Sequence, residues 1–213
     1  MITNKRLLIV TIAMAFMMVT VNRANAQKIE LSPFIGYETG AIIHTSLGDL
    51  HIGDGMDFGG SINVGMGGGR YVELSYSHLA SYLNLENGLA TERLSDLATD
   101  YYSIGALQEV MPDERVTPYG LFTLGWVNYR PSNPTTITND YSNENKMHVS
   151  LAGGVKINAS EKVGLRLQAR LLMPLYYAGT YLYAGTGGAG YSVGGGIYGV
   201  QGDFTLALVL KIK

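Results

Sequence analysis

The chain has 213 residues, 46% hydrophobic and only 15% charged, with a formal net charge of −2, 28 glycines, 15 tyrosines and no cysteine. The near-neutral balance leaves no electrostatic footprint for nucleic acid, and the lack of thiols excludes disulfides and thiolate metal sites. Soluble domains carry roughly 25% charged residues, so the composition favours a chain that buries much of its outer surface in something other than water.

The first segment reads Lys5-Arg6, then the uncharged, largely apolar run Leu7 to Val21, then Asn22-Arg23-Ala24-Asn25-Ala26. A basic flank, a short apolar run and an Ala-x-Ala ending define a secretory signal peptide over residues 1–26, cleaved before Gln27. The run falls short of the roughly 20 residues that a spanning helix needs. Gln27 is not cysteine, so no lipid anchor is expected, and no later apolar run is long enough to cross a bilayer as a helix. Residues 27–213 form one exported domain.

Eight strands are predicted: Lys28 to Glu38, Met56 to Gly67, Arg70 to Leu79, Asp100 to Met111, Val116 to Tyr129, Lys146 to Ile157, Lys162 to Tyr177 and Val200 to Lys213. Their connections alternate in length. Gly67-Gly68-Gly69, Pro112 to Arg115 and Asn158 to Glu161 are tight, whereas Thr39 to Gly55, Ala80 to Thr99, Arg130 to Asn145 and the stretch after Tyr177 are long. Antiparallel strands so connected put every tight turn at one end and every long loop at the other, the pattern of a transmembrane β-barrel. A short helix is expected within Ser81 to Asp96, from Leu83, Leu85, Leu89, Leu94 and the nearby Leu97.

Period-two alternation assigns the faces. In the sixth and seventh strands Val149, Leu151, Val155, Val163, Leu165, Leu167 and Leu171 fall opposite His148, Ser150, Lys156, Arg166, Gln168 and Arg170. The first, second, third and eighth strands alternate likewise; the fourth and fifth are ambiguous, and in the fifth Phe122, Leu124 and Trp126 compete with Leu121, Val127 and Tyr129 for the outside. A soluble barrel would turn apolar residues inward, whereas low charge content predicts the inverse. Tyr37, Tyr71, Tyr76, Tyr101, Tyr102, Tyr119, Trp126, Tyr129, Tyr176 and Tyr177 sit near strand ends and are expected in aromatic girdles at the two membrane surfaces.

The polar face then becomes a lumen. Glu30, Glu73, Glu109, Lys156, Arg166 and Lys211 lie near the tight-turn end, three acidic and three basic, while Arg170 lies higher, within reach of Glu38 or Asp203. A balanced set in a narrow interior predicts a paired polar plug and no substantial conductance. The last loop alternates tyrosine and glycine around Gly185 to Gly190, which predicts that the strands continue above the membrane as a hairpin bearing Tyr181, Tyr183, Tyr191 and Tyr198, an edge for an extracellular protein partner.

Several chemical motifs fail on context. Gly185 to Gly190 fits G-x-G-x-x-G but precedes no helix, and Gly190 to Gly194 fits G-x-S-x-G with no histidine after Ser192. His44 and His51 share a loop with Asp49 and Asp54, a weak surface metal pattern. His78, Ser81 and Glu86 form a possible hydrolytic trio at the outer leaflet.

The chain resembles the OmpA/OmpX and opacity-type outer-membrane β-barrels, through Thr117-Pro118-Tyr119-Gly120, Gly153-Gly154-Val155-Lys156-Ile157 and the alternation over nearly all of residues 27–213. The resemblance implies an all-β, closed, eight-stranded antiparallel up-and-down barrel in the bacterial outer membrane. It implies a monomer surrounded by lipid and lipopolysaccharide, inserted by the barrel-insertion machinery, with roles in envelope integrity, adhesion or surface interaction. Such barrels often end in an aromatic residue; this sequence ends Leu210-Lys211-Ile212-Lys213. The His78 region also resembles outer-membrane lipid A deacylases, which carry His-x-Ser on a strand, but here His-x-x-Ser puts the two on opposite faces. The expectation is a non-enzymatic barrel with no catalytic residues, cofactor or metal; a lipid-modifying enzyme and a narrow passive pore are the alternatives.

Overall fold

The computed structural model describes residues 28–45, 48–86, 91–112, 114–133, 143–185, 188–197 and 199–212, with residues 43–45, 48 and 176–197 by backbone alone. The signal peptide expected over residues 1–26 lies outside them. The described residues form eleven strands: β1 (Ile29–Glu38), β2 (Ala41–Thr45), β3 (Gly48–Ile52), β4 (Gly55–Gly67), β5 (Arg70–Glu86), β6 (Thr91–Glu109), β7 (Val116–Ser132), β8 (Glu144–Asn158), β9 (Val163–Gly185), β10 (Gly188–Ile197) and β11 (Gln201–Ile212). Eight of them, in the order β5-β4-β1-β11-β9-β8-β7-β6, close into a ring when β6 pairs back onto β5. Every pairing is antiparallel, and closure leaves the barrel wall without an unpaired edge.

The tight turns form because their residues suit the required backbone. Gly67, Gly68 and Gly69 all lie at positive φ (86°, 63° and 72°), where a side chain is strained. Between β8 and β9 the Ser160 hydroxyl accepts hydrogen bonds from the Lys162 and Val163 amides.

The two faces separate cleanly. On β9, Leu165, Leu167 and Leu171 are 43%, 47% and 50% exposed, whereas Arg166 and Arg170 are each 4% exposed. Leucines on the outside of a closed barrel with arginines sealed within invert the arrangement of a soluble protein. Placed in hydrocarbon, each such outward side chain gains up to ~1.5–3 kcal/mol.

Three strands beyond the predicted eight all belong to the long-loop end. The first long link folds as the β2–β3 hairpin and pairs onto β5, from Asp49↔Glu86 to Ile52↔Leu83. The helix expected within Ser81 to Asp96 is replaced by strand: β5 and β6 run on past the barrel and pair as far as Glu86↔Thr91. The leucine spacing is explained by sheet packing, because Leu83 and Leu97 meet Ala41 and Ile52 in an apolar cluster backed by Leu50, Leu94 and Tyr129. β9 likewise continues to Gly185 and pairs with β10.

The ambiguous fifth strand is settled with Phe122, Leu124 and Trp126 outside and Leu121 and Val127 buried inside. The girdle expectation needs a matching correction. Tyr37, Tyr76, Tyr102 and Trp126 point outward, but Tyr71, Tyr101 and Tyr119 are buried in the lumen, and Tyr129 packs against buried Tyr101, Val127 and Leu172. The side chains of Tyr176 and Tyr177 lie outside the described residues.

Candidate functional site: the lumen and its outer rim

Strand parity sends residues from non-neighbouring strands to the same height inside the ring, and at the tight-turn end this assembles the first charge layer. Lys156 of β8 donates through Nζ to Glu30 Oε2 of β1 at 2.7 Å and to Glu109 Oε1 of β6 at 2.8 Å, bridging strands that are not neighbours in the ring. The same ammonium lies 4.3 Å from the Tyr71 ring centroid, a cation–π contact in a dry setting. Lys211 stands opposite Glu30 in the β1–β11 register, yet its ammonium turns to Asn158 Oδ1 at 2.7 Å. It closes the β8–β9 turn and makes no ion pair among those described.

One level up, Arg166 of β9 donates through Nη1 to Glu73 Oε2 of β5 at 2.6 Å, through Nε to the Tyr119 hydroxyl of β7 at 2.7 Å, and through Nη2 to Gln168 Oε1. Tyr119 in turn donates to Gln168 Oε1 at 3.0 Å. Its ring fits because Gly154 stands opposite on β8: a Cβ there would meet Leu167 O at 2.2 Å and the Tyr119 hydroxyl at 2.5 Å. The guanidinium lies 4.7 Å from the Tyr119 centroid.

The third level holds Arg170, whose Nε and Nη2 approach Asp203 Oδ2 at 2.7 and 2.6 Å. Of the two partners predicted for Arg170, Asp203 takes the ion pair. Glu38 is held by Gln201 Nε2 at 2.9 Å and the Tyr101 hydroxyl at 3.2 Å, and Asp57 accepts from Ser77 at 3.1 Å. Beside them Ser103 Oγ and His148 Nε2 are 3.0 Å apart, and Thr123 and Ser150 share a 2.6 Å hydrogen bond. Above this network the lumen turns apolar: Leu79, Tyr101, Val127 and Leu172 are all 0% exposed, with Tyr129 packed against the last three.

Glu30, Glu38, Glu73, Glu109, Lys156, Arg166, Arg170 and Asp203 therefore all sit buried in the lumen, in three linked groups, with Lys211 at its edge. His148 and Gln168 stand on the polar face assigned from sequence, whereas sequence inspection missed Tyr71, Tyr101, Tyr119, Gln201 and the acid Asp57. All of them share the parity of the charges, which is the signal that finds them.

On the outside, the register stacks two rows at the long-loop end. Tyr76, Tyr102, Trp126 and Met147 are paired neighbours, and His78, Asp100, Asn128 and Asn145 form the next row up. Asp100 faces outward by parity but is only 3% exposed, because the Tyr76 hydroxyl (2.8 Å), His78 Nδ1 (2.7 Å) and Arg130 Nη2 all close on its carboxylate. The trio His78, Ser81 and Glu86 is not assembled. His78 binds Asp100, Ser81 donates to Tyr82 O, and Glu86 pairs with His51 at 3.1 Å. The outward neighbours of His78 are Tyr76, Ala80, Phe58 and Asp100, which include no hydroxyl nucleophile of the serine or threonine type.

Of the weak metal pattern, Asp54 accepts from Tyr37 and His51 pairs with Glu86, no group of three or more metal-capable side chains occurs among the described residues, and the His44 side chain lies outside them. At the predicted surface hairpin the backbone pairs Tyr181↔Ser192, Leu182↔Tyr191 and Tyr183↔Gly190; Tyr198 lies outside the described residues.

No family model matches the chain, and no curated protein matches it either. Solved structures do. The outer membrane protein OprG from Pseudomonas aeruginosa superposes with a TM-score of 0.64 at 10% identity, over 87% of this chain and 95% of that one. Neisserial surface protein A superposes with a TM-score of 0.57 at 13% identity, over 86% and 97%. The fold is that of the small bacterial outer-membrane β-barrels, in keeping with the resemblance noted above.

Proposed function

We propose that the protein is a non-catalytic, non-conducting barrel of the outer membrane that serves envelope structure or surface interaction through the sheet it raises above the membrane. The observation that carries this is the occupied lumen. Lys156 and Arg166 reach across the interior to carboxylates on non-neighbouring strands, Arg170 pairs with Asp203 on the adjacent strand, and every one of these groups is less than 9% exposed. An eight-stranded barrel has an interior just wide enough for its own side chains, and these fill it.

The surface half of the proposal draws support from the strands outside the barrel. β2 and β10 each pair on one side only among the described residues, and β10 (Gly188–Ile197) carries no charge and no proline along its length. Native sheets usually blunt such an edge, and an unblunted one is a template for a strand from another chain.

Planar-bilayer recording of the refolded protein tests the closed lumen: a silent membrane is expected, and reproducible unitary steps would overturn it. Mass spectrometry of lipid A from cells with and without the gene tests the absence of chemistry, with identical spectra expected.

A further inference from the structure

We propose that the outward face of β5, β6 and β7 carries a binding site for the phosphate of an outer-leaflet lipid, with the Arg130 guanidinium as its ligand and Asp100 and His78 as the groups that position it. The inference rests on the membrane orientation above and not on the closed lumen.

The height of the site comes from register. Tyr76, Tyr102 and Trp126 lie side by side, 38%, 52% and 57% exposed, and the Tyr76 and Tyr102 rings are 5.2 Å apart. Aromatic rings in this arrangement mark the boundary between hydrocarbon and headgroups. One row higher stand His78, Asp100, Asn128 and Asn145, the last two joined by a 2.7 Å hydrogen bond. Charges on the lipid face cost ~2–4 kcal/mol at the midplane and little near the interface. The row is thus at headgroup level, where the abundant anion is a phosphoester.

The geometry of the cluster is that of a held arginine. Asp100 is buried on the outer wall and accepts from Tyr76, His78 and Arg130 at once. His78 is fixed in addition by the Phe58 ring, whose centroid lies 5.1 Å from its own. Arg130 spends one of its guanidinium donors on Asp100 and remains 48% exposed. A guanidinium has five N–H donors in a rigid fork, so the rest project from a fixed position just above the aromatic row. A fork that is oriented beforehand loses little freedom on binding, and planar bidentate recognition of phosphate is what arginine does better than lysine. Asp100 neutralises part of the charge, which favours a lipid phosphate held in place by its own acyl chains over a free anion in solution.

The test uses the folded protein in nanodiscs, titrated with lipid A bearing its phosphates, with enzymatically dephosphorylated lipid A and with inorganic phosphate, and read by native mass spectrometry. The wild-type protein should prefer the phosphorylated lipid by about tenfold or more, and inorganic phosphate should not compete at matched concentration. Arg130→Gln should remove that preference, a loss of about ten- to hundredfold, and leave binding of the dephosphorylated lipid unchanged. Arg130→Lys should fall between the two. Arg93→Gln, higher on the same face and paired with Asp96, should behave as wild type. Equal wild-type binding of the two lipids overturns the proposal whatever the variants do. So does an Arg130→Gln protein that keeps the preference, and effective competition by inorganic phosphate replaces a lipid site with a free-anion site. A conducting barrel would overturn the closed lumen and leave this site standing.

Discussion

The Arg166–Glu73 pair offers the sharpest test of how the lumen is held. Arg166 is 4% exposed and donates to Glu73 at 2.6 Å, to Tyr119 at 2.7 Å and to Gln168. Arg166→Met keeps most of the aliphatic volume and deletes the charge. Glu73, 3% exposed, is then a buried carboxylate without its cation, a state that costs ~3–5 kcal/mol. The Tyr119 hydroxyl still has Gln168 Oε1 to donate to, so its share of the loss is ~1 kcal/mol. Glu73→Leu strands Arg166 instead and should cost a similar amount. In the double variant both charges are gone and two apolar side chains fill the space, so most of the loss returns, leaving the barrel within ~1 kcal/mol of wild type or above it. The assay is equilibrium urea unfolding in lipid vesicles, followed by fluorescence of Trp126, the single tryptophan, which lies on the outer wall away from the substitutions. If the double variant is as unstable as the worse single one, or if Arg166→Met costs less than ~1 kcal/mol, ion pairing is not what organises the interior.

Three further outcomes are expected. Gly68→Val should destabilise by ~1–2 kcal/mol in the same assay, because φ is +63° at a position where nothing but a neighbouring arginine approaches, so the loss is backbone strain and not a clash. Lipids brominated near the headgroup end of the acyl chain should quench Trp126 more strongly than lipids brominated at the chain terminus, since Trp126 is the last outward apolar residue of β7 below Asn128. Equal quenching would misplace the membrane boundary. Above the membrane, the Asn133 amide and then the Arg93 guanidinium hold the Asp96 carboxyl below the ordinary aspartate value. A lowered value stabilises the fold above the ordinary titration range and loses that contribution as pH falls through the lowered one. Asn133→Ala should therefore move the Asp96 carboxyl resonance titration upward in NMR, and an unchanged midpoint would show that the hydrogen bond is not formed in solution.

Strand parity made the barrel legible because the same two-residue period runs through Glu30, Ser32, Gly36 and Glu38 on β1 and through Arg166, Gln168 and Arg170 on β9, with lipid-facing residues between. Parity failed where both faces are apolar. On β7 Leu121 and Val127 point inward and Phe122, Leu124 and Trp126 outward, and hydrophobicity alone does not separate them. What separates them is the partner across the lumen. Tyr71 and Tyr119 look like girdle residues until Lys156 and Arg166 are seen to lie against their rings, and those contacts link residues 47 or more positions apart. The expected helix failed for a related reason: the leucines suggest a helix only while the β2–β3 hairpin, whose Ala41 and Ile52 pack against Leu83 and Leu97, is unknown.

The interior is divided by side as well as by height, and the division bears on the closure proposed above. β1, β4, β9 and β11 supply most of the charge, in Glu30, Glu38, Asp57, Arg166, Arg170 and Asp203, while β5 to β8 supply the apolar cluster of Tyr71, Leu107, Tyr119 and Leu121 beside Ala152. Arg166 crosses from the first wall to Glu73 and Tyr119 of the second, and Lys156 crosses back from β8 to Glu30 of β1, so that neither wall can move outward without stranding a buried group. Salt and pH act on the ionic layers. They do not act on the layer above, where Val127 and Leu172 pack with the Tyr101 ring. On the closed-lumen reading proposed above, a condition that loosens the ion pairs should leave that apolar layer packed, and removing Arg166 and Arg170 alone should weaken the barrel before it opens a path through it.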